Sequence, residues 1–179
     1  MKTRFALAAA GMLLATQIKA QQPPAAPQPS PESPITQPVA ETMPFDIPYG
    51  TAITLAEARK AIAAAEGEAG KHGWKLVCAV ADASGDLIAL ERMDGAQLGS
   101  IQVAQDKART AARFRRPTKA FLDALKGGNL FVMNLPGVIT AEGGFPIVRG
   151  GKLIGAIGCS GAISNQDATA AMAGLEAVK

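Results

Sequence analysis

The chain has 179 residues, with 18 Lys and Arg against 15 Asp and Glu and a formal net charge of +3 at pH 7. Three of these cations, Lys2, Arg4 and Lys19, lie in the first twenty residues, so the remainder is formally neutral. A neutral chain argues against a nucleic-acid-binding protein and against one held to a membrane surface by charge.

Residues 1–20 have the pattern of a secretory signal peptide. Lys2 and Arg4 precede an uncharged apolar run over residues 5–16, and Ala20 offers a small residue at the cleavage site. The run is shorter than the roughly 20 apolar residues that a membrane-spanning helix needs. We therefore expect an exported protein, periplasmic or secreted, with no stable insertion in the membrane.

Residues 21–50 form a proline-rich segment. Nine of the 12 prolines of the chain lie between residues 21 and 48, separated mainly by Gln, Ser and Ala. Proline fixes φ and lacks an amide donor, and the segment has little apolar bulk. The sequence predicts a disordered tether, of which residues 45–49 can dock onto a single domain at residues 51–179.

The first half of that domain predicts a helix, a hairpin and a second helix. Thr54 and Glu57 form a capping box for a helix that ends at Gly70 or Gly73. Two strand-like runs flank a turn of Ala, Ser, Gly and Asp. Ser100 is expected to cap the next helix, which Pro117 ends. The predicted strands are residues 76–82 and 87–92.

The second half predicts a short helix, up to three strands and a last helix. Thr118 is expected to cap a helix through Lys126, and Ser164 with Asp167 to open the last helix. Gly150 and Gly151 predict a tight hairpin. Two hairpins favour an antiparallel sheet with helices packed on it. The predicted strands are residues 138–140, 145–149 and 152–159, and the last helix is residues 168–178.

The two cysteines, Cys78 and Cys159, both lie in apolar runs of predicted strands. Export makes a disulfide chemically possible. Small buried thiols are the interpretation we favour over a bridge. The spacing contains no CxxC pair, so a zinc site is not expected.

Three groups of residues carry candidate chemistry. His72, the single histidine, follows the first helix and is either a solvated terminal residue or an axial ligand of a metal-containing cofactor. Residues 92–96, with the sequence RMDGA, follow a strand and either line a pocket or leave a solvated turn. Arg109 and Arg113 lie at helical spacing and offer a face for ligand carboxylates, or only a solvated basic face.

Three motifs together resemble the GlcG/HbpS family, which includes the C-terminal domain of PduO-type proteins. They are VADASGDLIALERMDGA at residues 80–96, KARTA at residues 107–111 and GGFPIVRGGKLIGAIGCSG at residues 143–161. The resemblance extends over residues 54–178. It implies an α/β (α+β), profilin-like fold of three layers, with a five-stranded antiparallel sheet flanked by helices. It also implies homo-oligomers, dimers or larger, and haem as the cofactor of several members.

The resemblance places a ligand pocket among the residues of the matching motifs. Those residues are Asp82, Arg92, Met93, Asp94, Gly95, Lys107, Thr110, Thr118, Gly144, Pro146 and Gly161. In the first hypothesis, Arg109 or Arg113 pairs with haem propionates while His72, or failing that Met93 or Thr118, approaches the iron.

A second hypothesis makes the protein an enzyme that acts on a small organic acid. Arg92 then anchors the substrate carboxylate, and Asp94 or Lys107 serves as acid or base. A third possibility is an oligomeric interaction module without catalysis. The residues alone leave open whether the protein is an enzyme.

Overall fold

The structure is a computed structural model that describes residues 42–179. The predicted signal peptide, and the predicted tether up to residue 41, lie outside the described residues. The helices and strands are α1 (Leu55–Lys71), β1 (Val77–Asp82), β2 (Leu87–Arg92), α2 (Ser100–Arg113), α3 (Lys119–Lys126), a 3₁₀ helix (Leu130–Asn134), β3 (Gly144–Arg149), β4 (Lys152–Ser160) and α4 (Ser164–Glu176).

The described residues form one sheet of four strands in the order β2-β1-β4-β3, and every neighbouring pair is antiparallel. Both predicted hairpins are present, and the second turns at Gly150 and Gly151, whose φ angles are 55° and 73°. The antiparallel mixed fold is therefore confirmed.

The expected fifth strand is not confirmed, because residues 138–140 form no strand. Backbone groups within and next to this segment instead form hydrogen bonds with a side chain of α2. The Thr110 hydroxyl donates to the Gly137 carbonyl oxygen at 2.9 Å and accepts from the Ile139 N–H at 3.2 Å. The Ile139 N–H, which a strand could use in its ladder, thus donates to a side chain of α2, and the segment is a loop.

Helices cover both faces of the sheet. Since side chains alternate along a strand, Cys78 and Val80 of β1 face α1 and α4, whereas Val77 and Ala79 face Ala104 of α2. Glycine residues in the sheet allow the helices to approach its backbone closely. A Cβ on Gly158 would lie 2.3 Å from the Ala104 carbonyl oxygen, so α2 rests directly on the backbone of β4.

Residues 45–50 dock onto the domain, as the sequence suggested. The Arg116 guanidinium lies 4.0 Å from the centre of the Phe45 ring, and Arg115 donates to the Ile47 carbonyl oxygen at 3.0 Å. Tyr49 then forms a parallel bridge with Leu153 of β4. The arginines at the end of α2 therefore hold a short segment that continues along the sheet.

The preference for two free thiols is wrong, because Cys78 and Cys159 form a disulfide. They are directly opposed in the register of β1 and β4, with their Cα atoms 4.2 Å apart and both residues buried. Residues opposed across two strands have side chains on the same face. The pairing of β1 with β4, which sequence spacing does not reveal, brings the two sulfurs together.

The predicted helix caps are confirmed only in part. Ser100 lies inside α2, whose N-cap is Gly99, so that prediction is wrong. Thr118 is the N-cap residue of α3 as predicted, but its hydroxyl makes no cap bond. The last helix begins at Ser164, four residues earlier than predicted. In each case the polar side chain makes a tertiary contact or lies within the helix. The local sequence does not show which tertiary contacts a side chain will make.

Candidate functional site

The residues that the sequence singled out are divided among three places. The first is a cleft of about 560 Å³ between the end of α1 and the end of β2. It is lined by Glu66, Gly70, Gly73, Trp74, Lys75, Glu91, Arg92, Met93 and Asp94. Of the sequence-predicted site residues, the cleft therefore brings together Arg92, Met93 and Asp94.

His72 lies beside this cleft as the C-cap residue of α1. Its imidazole stacks on Trp74, which lines the cleft, with ring centres 4.3 Å apart and an interplanar angle of 16°. Its Nε2 lies 3.3 Å from the Glu68 carboxylate, and its side chain remains 46% exposed. The ring is oriented by two neighbours, yet it is accessible to a ligand.

Met93 has less freedom than Arg92 and Asp94. Its thioether sulfur accepts from the Leu76 N–H at 3.5 Å, and its side chain packs against the main core. Arg92 and Asp94 are exposed, and the turn that follows is made by Gly95 at a φ of 78°. Positive φ favours glycine, so the turn that presents this pair depends on a residue without a Cβ.

Acidic groups also line the cleft. Glu66 of α1 is half-buried, and burial raises its pKa, with the charge of Glu91 on β2 acting in the same direction. A carboxyl group that loses hydration and faces a second negative charge takes up a proton more readily. The electrostatics of the cleft are therefore mixed, with carboxylates and cations on one surface.

The second place is a buried junction of Lys107, Thr118, Gly144 and Asp167, where α2, α4 and the ends of β3 and β4 meet. Lys107 Nζ lies 2.8 Å from Asp167 Oδ2 and donates to the Cys159 carbonyl oxygen at 2.9 Å. Lys107 and Asp167 are 1% and 3% exposed. Burial lowers the pKa of Lys107 and raises that of Asp167, while their mutual attraction opposes both changes.

The rest of this buried junction is tightly closed. The Thr118 hydroxyl accepts from the Gly144 N–H at 3.0 Å, and the Thr118 N–H donates to the Gly144 carbonyl oxygen at 3.0 Å. A Cβ on Gly144 would lie 2.5 Å from the Lys107 carbonyl oxygen. Gly161 is equally constrained, since its Cβ would lie 2.3 Å from the Lys75 carbonyl oxygen. These residues, with Thr110, contact other parts of the chain rather than an open pocket.

The third place is the turn between β1 and β2, where Arg109 and Arg113 lie. Arg113 Nε donates to the Ser84 carbonyl oxygen at 2.8 Å, and Arg109 is paired with Asp106 at 2.9 Å. A Cβ on Gly85 would touch both arginine side chains. Strand β2 has six residues, so about 17 Å separates this turn from the cleft at the other end of the strand. The turn and the cleft therefore lie at opposite ends of β2, and the cleft lining does not include Arg109 or Arg113.

Lys75 is a residue of the cleft that the sequence did not indicate. It follows Trp74 in the loop between α1 and β1, and no motif or periodicity marks it. Among residues 42–179, no group of three or more His, Cys, Asp or Glu side chains has the arrangement of a metal site. In the same region, none of the helices has the length and apolar character to cross a membrane.

Comparison with known proteins gives a consistent result. A family model described as "Haem degrading protein HbpS-like" matches residues 53–176. Protein GlcG of Escherichia coli strain K12 is 42% identical over 99 residues, which cover 55% of this chain and 74% of GlcG.

Solved structures agree with the sequence comparison. A double mutant of HbpS from Streptomyces reticuli has a TM-score of 0.68 and 31% identity, covering 82% of this chain and 99% of its own. A complex of PduOC with haem has a TM-score of 0.66 and 28% identity, covering 72% of this chain and 96% of its own. The chain belongs to the HbpS-like family.

Proposed function

We propose that this protein is an exported haem-binding protein whose ligand site is the cleft at the end of α1. The observation that carries the proposal is the position of His72, the single histidine of the chain, stacked on Trp74 at the edge of the cleft. A matching family model described as haem-degrading, and a similar protein solved with haem, support the same assignment.

The residues present fit such a ligand. An exposed imidazole is a common axial ligand of haem iron. Trp74 offers an aromatic surface, the half-buried Met93 side chain adds apolar contact, and Arg92 supplies a cation for a propionate. When bound, haem iron supplies one-electron and oxygen chemistry. The chain itself binds the porphyrin, orients the imidazole through Glu68 and Trp74, and leaves one side of the cleft open.

The absorption spectrum of the purified protein with and without haemin tests this function. We expect a shifted Soret band, and we expect His72→Ala to move that band and weaken binding. Arg59→Ala, on the exposed surface of α1, serves as a control that leaves the spectrum unchanged. Absence of haemin binding by the wild type would reject the function, and an unchanged band in His72→Ala would reject the imidazole.

Export and assembly belong to the same proposal. The disulfide supports an oxidising compartment, since such bridges persist in exported proteins and are rare in the cytosol. Large apolar side chains remain exposed in the 3₁₀ helix, where Leu130, Phe131 and Met133 are 65–66% exposed. Subunit contacts would cover such surface. Light scattering should give at least a dimer, and intact mass of exported protein should show residues 1–20 removed.

An enzyme acting on a small organic acid is the second candidate. Arg92 and Asp94 lie in the same open cleft, which favours a carboxylate substrate held by the first and a proton transferred by the second. Lys107, the other acid or base considered, is buried against Asp167. Turnover of a small carboxylic acid that Arg92→Ala abolishes, in a protein that binds no haemin, would establish this alternative.

A further inference from the structure

Two cations of the cleft have no partner within the described part of the chain. Lys75 and Arg92 are exposed, and neither forms an ion pair with any of residues 42–179. Arg109, by contrast, is paired with Asp106 of α2, and Arg113 with Asp86 of the β1–β2 turn. An unpaired cation beside a cavity is available to a ligand anion without first losing an internal partner.

The RMDGA turn fixes where the Lys75 side chain lies. A Cβ on Gly95 would lie 3.0 Å from Lys75 Cδ and 3.1 Å from its Nζ. The lysine therefore lies across the bare backbone of Gly95, a residue whose φ of 78° already favours glycine. This packing directs the ammonium to the same turn that carries Arg92.

Carboxylates in the cleft oppose the binding of an anion, so the two cations are required. Glu91 and Arg92 are successive residues of β2, and successive side chains of a strand point to opposite faces. Glu91 acts on Glu66 of α1, which places its charge on the face of the sheet that α1 covers. Asp94 also lines the cleft. Lys75 and Arg92 are the two cations of the cleft lining, and they offset these three acids in part.

We propose that Lys75 and Arg92 bind the carboxylates of the ligand, which for haem are its two propionates, and that Arg109 and Arg113 serve the β1–β2 turn instead. This assignment rests on the proposed haem function. It names Lys75 as a ligand-binding residue and separates the two arginines of α2 from the cofactor. The ligand carboxylates then lie at the end of β2, in the cleft that is also lined by Trp74, the stacking partner of His72.

Haemin titrations of the full-length protein, followed by the Soret band at low and high salt, test the assignment. The informative variants are Lys75→Gln and Arg92→Gln, with Lys75→Arg as a charge-retaining variant. We expect each neutral substitution to raise the Kd about fivefold at low salt, as for a partly exposed ion pair. High salt should reduce the effect. Lys75→Arg should keep most of the affinity.

Matched controls and a modified ligand sharpen the result. Lys60→Gln and Arg59→Gln remove the same charges from the exposed surface of α1, and should leave the Kd unchanged. Haemin dimethyl ester lacks the propionate charges, so Lys75→Gln and Arg92→Gln should not alter its binding. Glu91→Gln should tighten haemin binding by removing an opposing charge.

Two results would overturn the assignment while leaving haem binding intact. One is a loss of affinity in Arg109→Gln or Arg113→Gln with none in Lys75→Gln and Arg92→Gln. The other is an equal loss for haemin and its dimethyl ester, which would show that the substitutions act on the shape of the cleft. A wild-type protein that binds no haemin would instead reject the proposed function, and the propionate assignment with it.

Discussion

The buried junction and the cleft contain the same kinds of residue in opposite states. In the junction, Lys107 has a carboxylate and a backbone carbonyl as partners, and Thr118 is fully engaged with Gly144. In the cleft, Lys75 and Arg92 are exposed and without an ionic partner among residues 42–179. A buried, paired cation is committed to contacts within the fold, whereas an exposed, unpaired one is free to bind a ligand.

The comparison separates residues that sequence motifs present as one set. KARTA supplies Lys107 and Thr110 to the interior, while RMDGA supplies Arg92 and Asp94 to the cleft. Changes in the interior should therefore alter the free energy of unfolding with little effect on ligand affinity. Changes in the cleft should do the reverse.

The largest expected effect concerns the disulfide in the core behind the junction. Replacing both Cys78 and Cys159 by Ala opens a covalent loop across 81 residues of sequence. The loop-closure relation predicts a loss of about 4.5 kcal/mol in the free energy of unfolding. Urea denaturation of the oxidised protein and the double variant measures it. Equal unfolding midpoints would show that the bridge does not stabilise the fold.

Breaking the ion pair of the junction is expected to have the next largest effect. Asp167→Ala leaves the Lys107 ammonium buried without a carboxylate, which typically costs about 3–5 kcal/mol. Arg92→Gln is the comparison in the cleft, and as an exposed substitution it should change the free energy of unfolding by less than about 0.5 kcal/mol. Similar losses in the two variants would remove the distinction between junction and cleft.

Replacing both charged residues of the pair should lower the free energy of unfolding much less than replacing one of them. Burial lowers the pKa of Lys107 and raises that of Asp167, so desolvation outweighs attraction for each group. Their ionised forms are therefore less favourable in the fold than in water at neutral pH. We expect Lys107→Met with Asp167→Leu to recover most of the stability that Asp167→Ala loses. A double variant no more stable than Asp167→Ala would contradict this.

The smallest expected effect is at the start of α1, away from both regions. Hydrogen bonds from the Thr54 backbone and side chain, then Arg149, lower the pKa of Glu57 from 4.5 to about 2. A lowered folded-state pKa gives stability that is present above pH 4.5 and lost as the pH falls through about 2. Glu57→Gln should remove that part of the acid dependence in thermal melts recorded between pH 5 and pH 2. An unchanged pH profile would contradict it.

Local sequence patterns correctly predict those structural features that depend on residues close together in the sequence. The capping box of Thr54 and Glu57 and the glycine pair of the second hairpin are both present in the structure. The pairing of β1 with β4 depends on contacts between distant segments, and the disulfide follows from it. The loop at residues 138–140 is likewise decided by Thr110, which lies 29 residues before Ile139.

The candidate site was predictable in part. A polar turn after a strand predicted that Arg92 and Asp94 line a pocket; both lie in the cleft, and their role there stays a prediction. Lys75 carries no such signal, because its side chain packs across the backbone of Gly95, a residue distant from it in the sequence. The sequence also does not show that Arg109 and Arg113 lie away from the cleft. That separation depends on which end of β2 packs near these residues of α2.

The central claim is that the ligand binds at the cleft, and NMR mapping tests it most directly. Gallium protoporphyrin, a diamagnetic haem analogue, can be titrated into uniformly ¹⁵N-labelled protein. We expect shifts in the indole signal of Trp74, the single tryptophan, and in the amides of Gly73, Asp94 and Gly95. The amides of Gly85 and Gly144 should stay unchanged. Shifts confined to Gly85 or Gly144, with the cleft signals unmoved, would contradict the account.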